Sequence, residues 1–487
     1  MTSTTTSFRV PCSRWRLSCA GLALAVLVGC ASLSPDGGVS EVQALVAGKT
    51  GGVEAALSHD DRPGGDGADG TIRTLLEQPL SAESAVRIAL LNNAGLRGSL
   101  ATLGVNDALR VQAGTMPNPH FSIGRMRLGD EVEIERLLSF NLIGLLTLPW
   151  KYQWQNQQTE LAKLQAAQDV IRLAANTRKA WISAVAAQQT AIYMADVKEA
   201  AEAGGELARR MARVGNWSKL RQAREQVTLN DALVQLARSR QAAFAAREKL
   251  TRLMGLWGAQ TGFTLANRLP DLPADATTMA DVEARALRER LDVRSAMAES
   301  RYVAQQMGFT KLMGYVDGMA IGLVRNSVFD NDTGTRASKR GVELELPLPI
   351  FDWGGARNAR SRAVYLQSAT RVQETAVNAR SEAREAYFGY RTAYDLARHY
   401  RDEVVPLRKF IGEEMVLRFN GMLASAWDLL ADSRAQVMAV NSTIDAQRDF
   451  WLADVDLQTA LTGTSPGALA GMTPGATGGG GDAAAGH

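Results

Sequence analysis

Apolar residues along this chain recur with two different periods, and the switches between them outline its elements. Over residues 342–350, Val342, Leu344, Leu346, Leu348 and Ile350 fall on one face while Glu343 and Glu345 fall on the other. That period of two predicts a strand. Residues 314–326 are expected to pair with it, and residues 120–128 and 132–148 form the corresponding pair in the first half. Elsewhere the apolar spacing is three and four within charged surroundings, as in Leu229, Leu233, Leu236 and Ala237, or Val437, Val440, Ile444 and Ala446. Such a narrow stripe predicts helices. The longest, residues 358–417, holds one proline, Pro406, and at ~1.5 Å per residue would run roughly 90 Å. No globular core is that wide, so these helices must bury their stripes against one another as antiparallel coiled-coil pairs.

The chain also repeats itself. Ala89, Leu90 and Arg97 lie over Ala286, Leu287 and Arg294; Leu148 and Pro149 over Leu346 and Pro347; Arg224 and Val227 over Arg434 and Val437; Leu253 and Gly255 over Leu461 and Gly463. The offset stays near two hundred residues. Each copy, residues 80–257 and 280–463, reads as a helix, two strands, a long helix, a tight turn and a long returning helix. Residues 258–279, with Pro270 and Pro273, read as the linker between them. The fold class is mainly α with a small β part: tandem long helical hairpins, plus about four strands per chain.

The N-terminus changes this picture by removing residues from it. Arg9, Arg14 and Arg16 precede an apolar run that ends Leu27, Val28, Gly29, Cys30. The run is short of the ~20 residues a membrane span needs, and small residues before a cysteine read as a lipobox. Residues 1–29 are then a lipoprotein signal peptide, and Cys30 becomes the first residue of the mature chain, carrying a covalent lipid. Ala31 follows where an aspartate would argue for retention at the inner membrane, so resemblance to bacterial lipoprotein sorting rules implies export to the outer membrane. Cys12 and Cys19 leave with the signal, so no disulfide is expected. The formal charge of +3 loses three arginines, giving 3 − 3 = 0, and nothing favours a nucleic-acid partner. Residues 30–79 are expected to be largely flexible, and residues 464–487 form a disordered Gly/Ala-rich tail.

Two tandem copies of helix, strand pair and long hairpin behind a lipobox resemble the TolC/OprM family of outer membrane factors, over nearly all of residues 80–463. The most specific stretch runs from Leu346 through Pro347, Pro349, Phe351, Trp353, Gly354 and Gly355 to Arg357, similar to that family's crossing from barrel to helix. Residues 148–151 are its first-half counterpart and lack the glycines. The resemblance implies a homotrimer that closes one transmembrane β-barrel above an α-barrel. It implies a passive exit duct in a tripartite efflux system, with a periplasmic adaptor and, through it, an inner-membrane pump as partners. It also implies hairpin tips that meet the adaptor and close the channel. Gly215 and Asn216 in one tip, and Asn420 and Gly421 in the other, have the chemistry for the positive φ that a tight turn needs. Phe419 and Asp428 stand at the spacing where the family commonly has a Tyr and an Asp, and are the candidate gate. Asp428 also fits a helix-start charge. The alternatives are a periplasmic adaptor, against which two hairpins count, and a structural coiled-coil lipoprotein without a lumen.

Other chemistry is thin. Gly48, Lys49 and Thr50 end like a phosphate-binding loop, but Gln43 stands where its first glycine belongs. His59, His120, His399 and His487 are far apart, and no Ser-His or Cys-His arrangement suggests a nucleophile, so neither an enzyme nor a resident metal or other cofactor is expected. Met297, Met307, Met313 and Met319 could bind soft cuprous or silver ions, although methionine there is more often packing filler. The cargo is therefore either drugs and other small molecules or heavy-metal ions.

Overall fold

A computed structural model describes residues 32–53, 57, 66–313, 319–346, 350, 351 and 353–466. Cys30, Pro347, Pro349 and most of the tail lie outside them. The elements are α1 (Val39–Val46), α2 (Asp66–Leu76), α3 (Ala82–Asn92), α4 (Ala94–Gly114), β1 (His120–Leu128), β2 (Glu131–Asn141), α5 (Leu142–Arg213) and α6 (Lys219–Met254). After residues 258–279 come α7 (Val282–Glu289), α8 (Leu291–Met313), β3 (Ala320–Asp330), β4 (Arg336–Glu345), α9 (Gly355–His399), α10 (Val405–Asn420) and α11 (Ala426–Thr462). The order of the first half recurs in the second. The chain divides into two compact units that each draw on both halves: residues 1–38, 102–162 and 299–367, and residues 39–101, 163–298 and 368–487.

The first unit holds one antiparallel sheet in the order β1-β2-β3-β4. β2 and β3 pair across the two halves, from Glu131 opposite Asp330 to Asn141 opposite Ala320. Among the described residues both outer strands have an open edge, and a four-stranded sheet cannot close on itself. β2 is shorter than its predicted span of 132–148. Asn141 ends it by accepting a 2.6 Å hydrogen bond from the Gly144 N–H, a side-chain cap that starts α5. Pro149 then lies inside that helix. In the second half the strands are displaced from the predicted bounds: β3, Ala320–Asp330, runs four residues past the predicted end at 326, residues 314–318 lie outside the described residues, and β4 begins at Arg336. The turn sets this. Asp330 Oδ1 accepts from the N–H groups of Asp332 and Thr333 at 2.9 and 3.2 Å, folding the chain back six residues before the apolar alternation begins.

The second unit holds the helical core. Ile88, Ala89, Trp181, Val185, Leu250 and Met254 are buried in one cluster, and Tyr390, Tyr394, Phe450 and Leu457 in another. The linker is packed rather than free. Phe263, Leu265 and Leu269 are buried, Tyr394 Oη donates to the Ala274 carbonyl at 2.6 Å, and the hydroxyls of Tyr390 and Tyr387 accept from the N–H groups of Thr277 and Met279. Part of the supposedly flexible N-terminal segment is ordered too. Val42 and Val46 of α1 are fully buried, and Glu41 pairs with Lys163. The spacing of three and four among Val39, Val42 and Val46 is easily lost in the composition of a Gly-rich stretch. The predicted helix over 358–417 is interrupted by a π-helical turn, Tyr400–Val404. Pro406 in the first turn of α10 has no N–H to donate, and the wider turn carries the helix past it.

Candidate functional site

Two tight turns join the long helices of the second unit. In the first, Gly215 takes φ 82°, and the Asn216 and Trp217 N–H groups both reach back to the Met211 carbonyl, at 2.9 and 3.2 Å. Trp217 is buried, and Ser218 caps α6 by accepting from the Arg221 N–H. In the second turn the sequence reading needs correction. Asn420 is the last residue of α10, Gly421 has φ −77°, and the positive φ of 61° falls on Met422. A Cβ on Gly421 would sit 3.5 Å or more from its neighbours, an ordinary contact. The turn therefore does not require glycine at 421. The left-handed residue is instead a fully exposed methionine, held because the Leu423 N–H reaches the Arg418 carbonyl at 2.8 Å.

Asp428 is the third residue of α11 and is occupied by its own helix start. Its Oδ2 accepts from the Ser425 hydroxyl at 2.7 Å and from the Ser425 N–H at 3.1 Å, while Ser425 Oγ accepts from the Asp428 N–H at 3.2 Å. This is a capping box. Those hydrogen bonds hold the carboxyl below the usual aspartate range. Phe419 is exposed near the end of α10, and the hydrogen bonds of Asp428 all go to Ser425.

The charged group that ties the two hairpins together lies elsewhere. Glu225 on α6 is 3% exposed, and its Oε1 accepts from Arg434 Nη2 on α11 at 2.5 Å. The Arg434 guanidinium also lies 5.2 Å from the Trp427 ring centroid, a cation–π distance. Gly204 on α5 keeps this region close, since a Cβ there would come 3.3 Å from Leu430 and 3.9 Å from Glu225 Oε2. Glu225 is six residues past the start of α6 and Arg434 eight past the start of α11, so the pair sits roughly 9–12 Å behind the turns at ~1.5 Å per residue. Residue-by-residue reading singled out the turns and missed this pair.

In the first unit, the register sorts the sheet into two unlike faces. One carries Phe121, Leu138, Leu323 and Val342 in one row, and Phe140, Ile321 and Leu344 in the next. The opposite face carries Glu131, Glu133, Glu135, Asp330, Glu343 and Glu345 against one lysine, Lys339. In β3 the residues of the acidic face, such as Gly322 and Val328, are the more enclosed, and those of the apolar face, such as Leu323, are exposed. Beyond β4, Gly354 takes φ 72° and Gly355 opens α9, where the Asn358 N–H bonds the Gly354 carbonyl. Ile350, Phe351 and Trp353 are exposed beside it, as are Leu145, Leu146 and Trp150 at the start of α5. No helix among the described residues is long and apolar enough to cross a membrane.

No family model matches this chain, and no curated relative does. Its fold does match solved structures. The outer-membrane channel OprN superposes with a TM-score of 0.64 at 16% identity, over 94% of this chain and 99% of that one. The Campylobacter jejuni CmeC outer membrane channel gives 0.63 at 16%, over 79% and 86%. CusC, described by its folding and transmembrane channel formation, gives 0.63 at 15%, over 78% and 92%. The fold is that of the TolC/OprM-type outer membrane factors.

Proposed function

We propose, from the fold this chain shares with outer-membrane channels, that it is the exit duct of a tripartite efflux system. Three copies close one barrel, and cargo passes passively from a periplasmic adaptor and inner-membrane pump. The observation that carries this reading is the two-faced open sheet. Its apolar face suits lipid and its acidic face suits water, and unpaired strand edges cannot face lipid unless other chains complete them. Exposed Trp150 and Trp353 at the strand-to-helix junctions suit the aromatic belt of a membrane interface. The carboxylates on the inner face favour cationic over anionic cargo, whether a drug or a metal ion. In planar bilayers the purified protein is expected to insert as a trimer and conduct, with a reversal potential that favours cations. Replacing Glu133, Glu135 and Glu343 by Gln should reduce that preference. A protein that is monodisperse as a monomer, or that inserts without conducting, refutes the duct.

The lipid on Cys30 belongs to the same proposal. Four residues further on, the Ser34 N–H donates to Asp107 Oδ2 at 2.7 Å, and Arg110 Nη2 donates to the Ser32 carbonyl. The start of the mature chain is thereby held against α4, the helix that leads into β1. Such an attachment supports an anchor inserted in the leaflet next to the barrel. Labelled palmitate should enter the wild-type protein and not Cys30→Ala; incorporation into the variant would remove this assignment.

A further inference from the structure

The apolar face of the sheet changes character abruptly toward its hairpin turns. The row after Phe121, Leu138, Leu323 and Val342 reads Ile123, Arg136, Arg325, Arg340 across the four strands. Three arginines thus stand side by side on neighbouring strands ~4.8 Å apart. Arg125, Arg127 and Arg336 occupy the same face in the two rows beyond. Like charges directly opposite in a sheet are destabilising. Nothing on this face offsets them: its positions on all four strands contain no Asp or Glu, and among the described residues none of the six arginines has a carboxylate within ion-pair distance. Arg136 bonds the Ser327 hydroxyl and Arg336 lies over the Phe329 ring, both neutral partners. A second copy cannot supply the missing anion from this face, because it would bring only the same arginines.

The height of the row identifies what can. Trp150 lies nine residues into α5 from Asn141, and Arg136 five residues back along β2. Those steps amount to roughly 13 Å of helix and 17 Å of strand, about 30 Å at most before tilt. The segment between them presents Leu146, Leu145, Phe140 and Leu138. An outer-membrane barrel has an apolar band ~25 Å tall, so the arginine row falls at the band's far rim, away from the helices. We propose that Arg136, Arg325 and Arg340 form a binding site for phosphate groups of the glycolipid in the outer leaflet. Guanidinium forks suit phosphate oxygens, which they can take two at a time. The inference rests on the barrel reading above, since only there does this face meet lipid.

The full-length protein in mild detergent, titrated with diphosphoryl lipid A or with the same lipid stripped of phosphate and read by native mass spectrometry, tests this directly. Wild type is expected to hold the phosphorylated lipid about 100-fold more tightly, at roughly one order of magnitude or less for each arginine near an anionic surface. Arg136→Gln/Arg325→Gln/Arg340→Gln should lose that difference, and the corresponding triple lysine variant should keep most of it. Equal binding of both lipids by wild type overturns the proposal, and that comparison depends on no variant folding. Conductance of the same preparation separates the two readings. A protein that conducts yet ignores phosphate loses the arginine site and keeps the duct, whereas one that selects phosphate without conducting keeps the site and loses the duct.

Discussion

In the proposed duct, replacing Arg434 by Ala is expected to loosen the tips of the two hairpins and raise conductance in planar bilayers without changing the oligomeric state. Glu225 would then be a buried carboxylate without its cation. Stranding one partner of a buried pair costs roughly 3–5 kcal/mol. Because the Arg434 side chain is about one-third exposed, solvent screening reduces this to about 2–3 kcal/mol. That is enough to shift a two-state closure by more than tenfold. Two controls distinguish a latch from general damage. Glu225→Gln, which keeps an acceptor for the guanidinium, should open the channel less than Arg434→Ala, and the exchanged pair Glu225→Arg/Arg434→Glu should recover part of the closed state. If conductance and large-antibiotic entry are unchanged in Arg434→Ala, the pair is not a latch. Asp428→Ala, by contrast, removes a capping box at an exposed helix start, and its effect should be confined to fraying of that first turn, with conductance unchanged.

How much of this was legible in the sequence depended on whether the signal was periodic. The strand alternation around Val342 and Leu344 and the three-four stripes of the long helices were readable, because one face of each is committed to an apolar surround. The ends were less so. β2 stops at Asn141 because a single side chain caps the next helix, and β4 starts at Arg336 because Asp330 shapes the turn before it. Both are local hydrogen bonds that leave no periodic trace. Positive φ at Met422 rather than Gly421 is the same kind of failure: composition marks where a turn falls, but not which residue of it turns left-handed. The Glu225–Arg434 pair was half visible. The repeat alignment sets Arg224, Glu225, Gln226 and Val227 over Arg434, Ala435, Gln436 and Val437. The one charged position that differs, Glu225 against Ala435, is the one that pairs with Arg434. A departure from symmetry in a repeat marks a contact that only one copy makes.

The joint where each half begins carries the same lesson, and the larger expected loss of stability. In the first half α3 breaks into α4 at Asn92 and Asn93, whose side-chain amides donate to the carbonyls of Met254, Gly255 and Leu253 at 3.1, 2.8 and 2.9 Å. In the second half α7 breaks into α8 at Arg290, which lies over Asn93 in the repeat. Its Nη1 reaches the Ala460 carbonyl at 3.4 Å, and the Leu291 N–H reaches that of Gly463 at 3.1 Å. Both halves thus tie their first helix break to the last turn of their returning helix, one with neutral amides and the other with a charge. Arg290 is 1% exposed and is balanced by Asp292 at 2.6 Å and Glu382 at 2.8 Å. Arg290→Ala would strand both carboxylates, and is expected to cost about 3–5 kcal/mol. Asn93→Ala removes two neutral hydrogen bonds, the one donated to the Leu253 carbonyl and the one accepted from the Leu96 N–H, and should cost about 1–2 kcal/mol. Heat denaturation followed by the helical circular dichroism signal should therefore rank Arg290→Ala well below Asn93→Ala. If the two variants melt together, the buried charge contributes no more than the amide it replaced, and the carboxylates around it find water once the arginine is gone.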